Sequence, residues 1–219
     1  MVIPGSNAEH ALQEIYGTSK KAAAFYKKQM LDYLNPEMCE FITQQEMVFI
    51  ASSDVKGECD CSFRAGPPGF IHVTGTRSLA YPEYRGNGVF ASLGNFSENP
   101  HIGMLFIDFF NNTVGLHING TAKIIANDDI CHLPDTVTQV THPGGQQPQH
   151  WVSVHVEEAY IHCSKHIPLL KKLDKELHWG TDDEVRKGGD YFKAKRCARP
   201  WGSIAEGVAE DAPSEGPAL

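Results

Sequence analysis

Apolar residues recur at helical spacing over residues 7–31, where Ala11, Leu12, Ile15 and Tyr16 share one face. Gly17-Thr18-Ser19 interrupts the pattern, which continues over 22–30. Asn35-Pro36 has the form of an N-cap followed by proline at the first helical position, so a short helix is predicted over 37–45. From there the period changes from helical spacing to alternation. Residues 46–52 read as a strand closed by a turn at Gly57, and 70–73 and 78–81 as strands joined by the turn 74–77. Residues 88–99 have the composition of one short helix ended by Pro100. The run 101–109 is the strongest strand of the chain. Asn111-Asn112 is a hairpin-type turn, and 113–125 is the long return strand with Gly120 as a bulge or bend.

Residues 127–150 hold many turn formers, including His142-Pro143-Gly144-Gly145, and read as an exposed excursion, flexible at 144–149. Trp151-Val152-Ser153-Val154-His155-Val156 alternates strictly, and 159–163 extends that strand. A short basic helix is expected within 165–179, where Lys171, Lys172 and Lys175 form a solvated face, and 206–219 reads as a disordered tail. The fold expected is mainly β with peripheral helices (α+β). Six or seven strands close into a small barrel, because closure removes the exposed edges that so many strands otherwise leave. The expected organisation is an N-terminal helical segment 1–45, a barrel 46–170, a helical or irregular extension 171–205 and the tail 206–219.

Composition narrows the function. The chain has 219 residues and a formal net charge of −8, which argues against a nucleic-acid partner needing a broad basic face. No apolar run reaches the length that crosses a bilayer, and the N-terminus lacks a basic stretch followed by an apolar one. The expectation is therefore no membrane and a cytoplasmic location. The six cysteines are too sparse for a disulfide scaffold; Cys59-x-Cys61 has no second pair at zinc spacing, so reduced thiols in strands and core are expected and no metal. The eleven histidines form no dense cluster. Glu157 and Glu158 are adjacent on a strand and point to opposite faces, so no acid–base dyad is expected and no catalytic residue is assigned.

The chemistry concentrates between Asp60 and Ile125. Arg64 ends an alternating segment just before Gly-Pro-Pro-Gly, which holds a guanidinium fork in place for an anion. Arg85-Gly86-Asn87-Gly88 then feeds a short helix, whose first N–H groups and dipole favour a phosphate, with the Ser92 hydroxyl one turn inside. The same residues also suit a tight loop before a surface helix with Arg64 in an ordinary ion pair. They make neither a P-loop nor a dinucleotide fingerprint.

In order, these segments resemble the pyridoxamine 5′-phosphate oxidase-like family of FMN-binding split barrels. The resemblance rests on DCSFRAGPPGF at 60–70, RGNGVFASLGN at 85–95, ENPHIGMLF at 98–106, INGTA at 118–122 and EAYIHCSK at 158–165. It implies a six-stranded split barrel that forms a homodimer with FMN at its interface. It further implies that Arg64 grips the FMN phosphate, with Asn87, Gly88 and Ser92 around it. The backbone at Tyr81 would lie beside the flavin ring and His117 on the ring's far side, with Lys165 reaching the phosphate. Val89 and Phe90 stand where the family commonly has a basic residue, so Arg85 or Lys165 would supply that contact. The C-terminal R-x-H of the oxidases acting on pyridoxine phosphate is missing from YFKAKRCARPW, so the resemblance does not extend to the vitamin B6 reaction. The function expected is an FMN-dependent oxidoreductase acting on a small-molecule substrate. A non-catalytic FMN-binding or storage module, or a haem-binding barrel using a histidine such as His162 beside Cys163, are the alternatives.

Overall fold

The computed structural model describes residues 3–134, 137 and 147–198. The chain divides into two compact units, Met1–Gly180 and Thr181–Leu219. Among the described residues the first unit holds the elements α1 (Asn7–Ile15), α2 (Ser19–Gln29), β1 (Met30–Leu31), α3 (Pro36–Thr43), β2 (Met47–Ser53), β3 (Cys59–Ala65), β4 (His72–Gly75), β5 (Ser78–Tyr84), α4 (Ala91–Glu98), β6 (His101–Ile107), β7 (Gly115–Ala126) and β8 (Pro148–His162).

The helix ends are chemically specified. The Ser6 hydroxyl accepts from the Glu9 N–H and opens α1, and Asn35 accepts from the Met38 N–H at 2.8 Å with Pro36 inside the first turn of α3. The break between α1 and α2 falls where Gly17 takes a positive φ.

All strand pairings are antiparallel, in the order β3-β2-β6-β7-β8-β5-β4, with β1 added to β8. The long strands β7 and β8 carry two half-sheets: β6 pairs with β7 up to Thr121, whereas β5 pairs with β8 between Pro148 and His155. The register shifts between Asn119 and Gly120, the expected bulge. A Cβ on Gly120 would sit 1.9 Å from the His155 carbonyl oxygen, so only glycine permits this approach. Alternation places Val48 and Ile50, Met104 and Phe106, Leu116 and Ile118, and Val152, Val154 and Val156 inside, where they form one core with Leu79 and Tyr81. Strands β3 and β5 are not neighbours in the sheet, yet Arg64 and Glu83 meet at 2.8 Å across the gap. The architecture is a split barrel.

Four local expectations differ. The strand starting at 101 stops at Ile107, because the Asp108 carboxylate accepts from the Phe110, Asn111 and Asn112 N–H groups and turns the chain. The excursion after residue 126 is not wholly exposed: Leu133 and Val137 are buried with Ala80 and Trp151 as a second small core, which is why β5 is buried on both faces. Its residues 135, 136 and 138–146 lie outside the described ones, whereas the part expected to be flexible ends in β8 from Pro148. No helix forms over 167–178. Pro168 lacks an N–H donor, and Leu169, Leu173 and Leu177 stay exposed, so a helix there has no apolar surface to close on. The Leu170 N–H instead donates to the Phe109 carbonyl at 2.7 Å, and Lys172 pairs with Glu46 at 2.5 Å.

In the second unit the described residues form turns, with one 3₁₀ turn at Ala194–Arg196 and a Lys195–Glu184 ion pair of 2.9 Å. The tail 206–219 lies outside the described residues. Among the described residues Cys59, Cys61, Cys163 and Cys197 are exposed rather than in the core. Among the described residues no helix is long and apolar enough to cross a membrane, and no group of metal-ligating side chains occurs.

Candidate functional site

Strand alternation on β3 turns Asp60, Ser62 and Arg64 to one face and Cys59, Cys61 and Phe63 to the other. The first three face the start of α4. The Ser62 and Ser92 hydroxyls both donate to the Asp60 carboxylate, at 2.7 and 3.1 Å, and Ser92 accepts from Arg64 Nη2 at 3.3 Å. Arg64 Nε also donates to Glu83 Oε1 at 2.8 Å. These residues line a cleft of about 490 Å³ together with the loop from Gly86 to Phe90, Tyr84, His150 and Trp179, a size that suits a cofactor-sized ligand.

The loop entering α4 is built for a tight approach. Gly88 has φ 80°, Phe90 has φ 54°, and the Val89 N–H donates to Asn87 Oδ1 at 3.0 Å. Phe90, at the N-cap, supplies no capping side chain, so no side chain competes for the first-turn N–H groups of α4. The helix therefore begins at Ala91, not at Gly88 as the composition suggested, since Gly88 and Phe90 have left-handed backbones.

The electrostatics are mixed. Glu83 is only 8% exposed, and burial pushes its carboxyl above the usual range against the opposing pull of Arg64 and His150. His150 lies directly opposite Glu83 in the β5–β8 register, and its buried Nδ1 has no hydrogen-bond partner among the described residues. Its ring meets Phe90 edge-on at 6.3 Å, while Tyr84 meets Trp179 at 5.3 Å.

The structure thus brings Arg64, Asn87, Gly88 and Ser92 to one cleft and leaves the other four outside it. Tyr81 is wholly buried in the barrel, its hydroxyl without a partner among the described residues and held well above the ordinary phenol range by burial first and the Glu83 charge second. Arg85 donates to the Gly180 carbonyl at 2.5 Å and lines a separate small pocket with Gln147, Pro148 and Gln149. His117 lies on the outer face of the sheet, stacked on Tyr160 at 4.8 Å and hydrogen-bonded to His162 at 2.8 Å. Lys165 is exposed in the 3₁₀ turn Ser164–His166. Sequence reasoning missed Glu83 and His150. Tyr81-Pro82-Glu83-Tyr84 reads as strand, and only the pairing of β5 with β8 joins the two residues.

The donor set fits a phosphate group: a guanidinium, a hydroxyl and an uncapped helix start share one cleft. Among the described lining residues the charge does not balance on one chain, because the Asp60 and Glu83 carboxylates stand against the Arg64 guanidinium.

Residues 34–163 match the profile of a family described as pyridoxamine 5′-phosphate oxidase. No curated protein matches the chain. Among solved structures, HupZ of Group A Streptococcus is 20% identical with a TM-score of 0.45, over 58% of this chain and 93% of that one. HutZ, the haem storage protein of Vibrio cholerae, is 15% identical with a TM-score of 0.38, over 58% of this chain and 94% of that one. An F420 reductase is 17% identical with a TM-score of 0.37, over 58% of this chain and 98% of that one.

Proposed function

The chain belongs to the pyridoxamine 5′-phosphate oxidase family, and from that premise we propose that it is an FMN-dependent oxidoreductase working as a homodimer on a small-molecule substrate. The observation that carries the reading is the meeting of the Arg64 guanidinium and the uncapped start of α4 in one cleft. Arg64 binds the phosphate and the Ser92 hydroxyl turns from Asp60 to donate to it, with N–H groups of the first turn of α4 completing the cradle. Flavin supplies hydride and electron transfer when bound, and the protein contributes orientation, hydrogen bonds and a shaped face.

Dimer formation is supported by the outer face of the sheet. Cross-strand register sets Phe63, Phe49, Leu105, His117 and Tyr160 in one row over five strands. Phe49 and Phe63 touch at 5.6 Å, and Phe63 is 53% exposed, an apolar band that a second copy would cover. His117 belongs to that band.

The experiment is purification followed by absorption spectroscopy, heat release and identification of the cofactor, with reduction by nicotinamides, amines and quinols screened on the loaded protein. Flavin bands, released FMN and loss of occupancy in Arg64→Ala support the reading. A haem spectrum, or full flavin occupancy in Arg64→Ala, overturns it. Loaded protein that no donor reduces points instead to a binding module. Phe63→Glu should convert a dimer to monomer in light scattering, whereas an unchanged mass removes this face from the interface.

A further inference from the structure

Among the described residues, five ionisable groups line the walls of the cleft. Asp60 and Arg64 come from β3, Glu83 and Tyr84 from β5, and His150 from β8, with Tyr81 buried on the inner face of β5. Glu83 faces Arg64 on one side, at 2.8 Å, and His150 on the other, its partner in the β5–β8 register. Asp60 is already engaged by two serine hydroxyls. Beside the His150 imidazole, the Arg64 guanidinium stands against two carboxylates in this lining, an unfavourable balance for a phosphate dianion.

Resting on the FMN reading above, we propose that binding of the phosphate takes up one proton from solvent and stores it on the facing Glu83–His150 pair. A phosphate oxygen reaching the Arg64 guanidinium shares or replaces the Glu83 carboxylate there. A carboxylate that is 8% exposed and loses its guanidinium is costly as an anion. One proton removes that cost in either of two places. On Glu83 it makes a neutral carboxyl; on the unpartnered Nδ1 of His150 it makes an imidazolium set against both Glu83 and the incoming anion. No bond other than the new O–H or N–H forms, and the cleft lining becomes neutral. The pair occupies the role that neither Arg85, turned onto Gly180, nor Lys165, outside the cleft, fills.

The test is calorimetric titration of FMN into full-length apoprotein near pH 8 in two non-phosphate buffers of different ionisation enthalpy. Close to one proton taken up per FMN is expected, with affinity falling about tenfold per pH unit above the titration of the pair. Glu83→Gln, which mimics the neutral carboxyl, should abolish the uptake, flatten the pH dependence and bind FMN more tightly than the parent at alkaline pH. His150→Gln, a second variant should Glu83→Gln not fold, should lower the uptake by at least half. FMN bound with no proton uptake overturns this proposal and leaves the FMN reading standing. Uptake that survives in both variants places the proton on the phosphate itself and overturns it too. No FMN binding at any pH overturns both.

Discussion

Replacing Arg64 by Met keeps aliphatic bulk but removes the charge that faces Glu83. The two side chains are 21% and 11% exposed, so the pair is largely withdrawn from water. Breaking such a pair from one side leaves an uncompensated carboxylate, and the residual exposure sets the loss near the low end, about 3 kcal/mol at alkaline pH. Protonation of Glu83 removes the stranded charge, and the remaining loss is that of hydrogen bonds, about 1 kcal/mol. The sign follows from linkage. A carboxyl whose folded pKa is raised binds more protons folded than unfolded, so its contribution is fully present below the unfolded pKa and is lost as pH rises through the folded one. Burial already moves Glu83 that way and Arg64 opposes it, so Arg64→Met extends the window upward. Urea unfolding followed by the fluorescence of the three tryptophans, at about pH 5.5 and about pH 8, measures the effect. The gap between Arg64→Met and parent should widen by about 2 kcal/mol at the higher pH, and adding Glu83→Leu should recover most of it. A gap equal at both pH values would refute the buried-charge argument.

Gly120→Ala drives a Cβ to 1.9 Å from a backbone carbonyl and should cost about 3 kcal/mol, whereas Gly103→Ala meets only ordinary contacts at 3.6 and 3.7 Å and should be near neutral in the same unfolding assay. Asn35→Ala removes the cap of α3 and should cost about 1 kcal/mol, read as a lower denaturation midpoint. His117 is held below the ordinary histidine range by burial first and by His162 second, so its contribution to stability is fully present above the unfolded value and is lost as pH falls from there through the lowered folded one. Thermal scans across mildly acidic pH should show a shallower loss in His117→Phe than in the parent; parallel curves would remove His117 as a cause.

Half of the candidate site was legible in the chain and half was not. Arg64, Asn87, Gly88 and Ser92 were readable because each sits at a local punctuation: a strand end before Gly-Pro-Pro-Gly, a glycine turn and a helix start. The loop residue Arg85 was equally prominent in sequence, yet its guanidinium turns to the carbonyl of Gly180, far along the chain. The leucines at 169, 173 and 177 carry a helical period, but all three stay exposed and the segment stays without helix. A period states what a segment could bury, not whether a surface exists to receive it.

Local chemistry by itself therefore determined the break at Gly17, the cap at Asn35, the inward residues of β2, β6, β7 and β8, and the bulge at Gly120. Backbone sterics and side-chain periodicity act over a few residues and need no knowledge of the rest of the chain. Tertiary structure decided that Glu83 meets Arg64 across the split and His150 across a strand pair, and that Tyr81 points into the core. Those meetings follow from curling one open sheet so that both half-sheets bury their inner faces, a condition on the whole chain that no short spacing records.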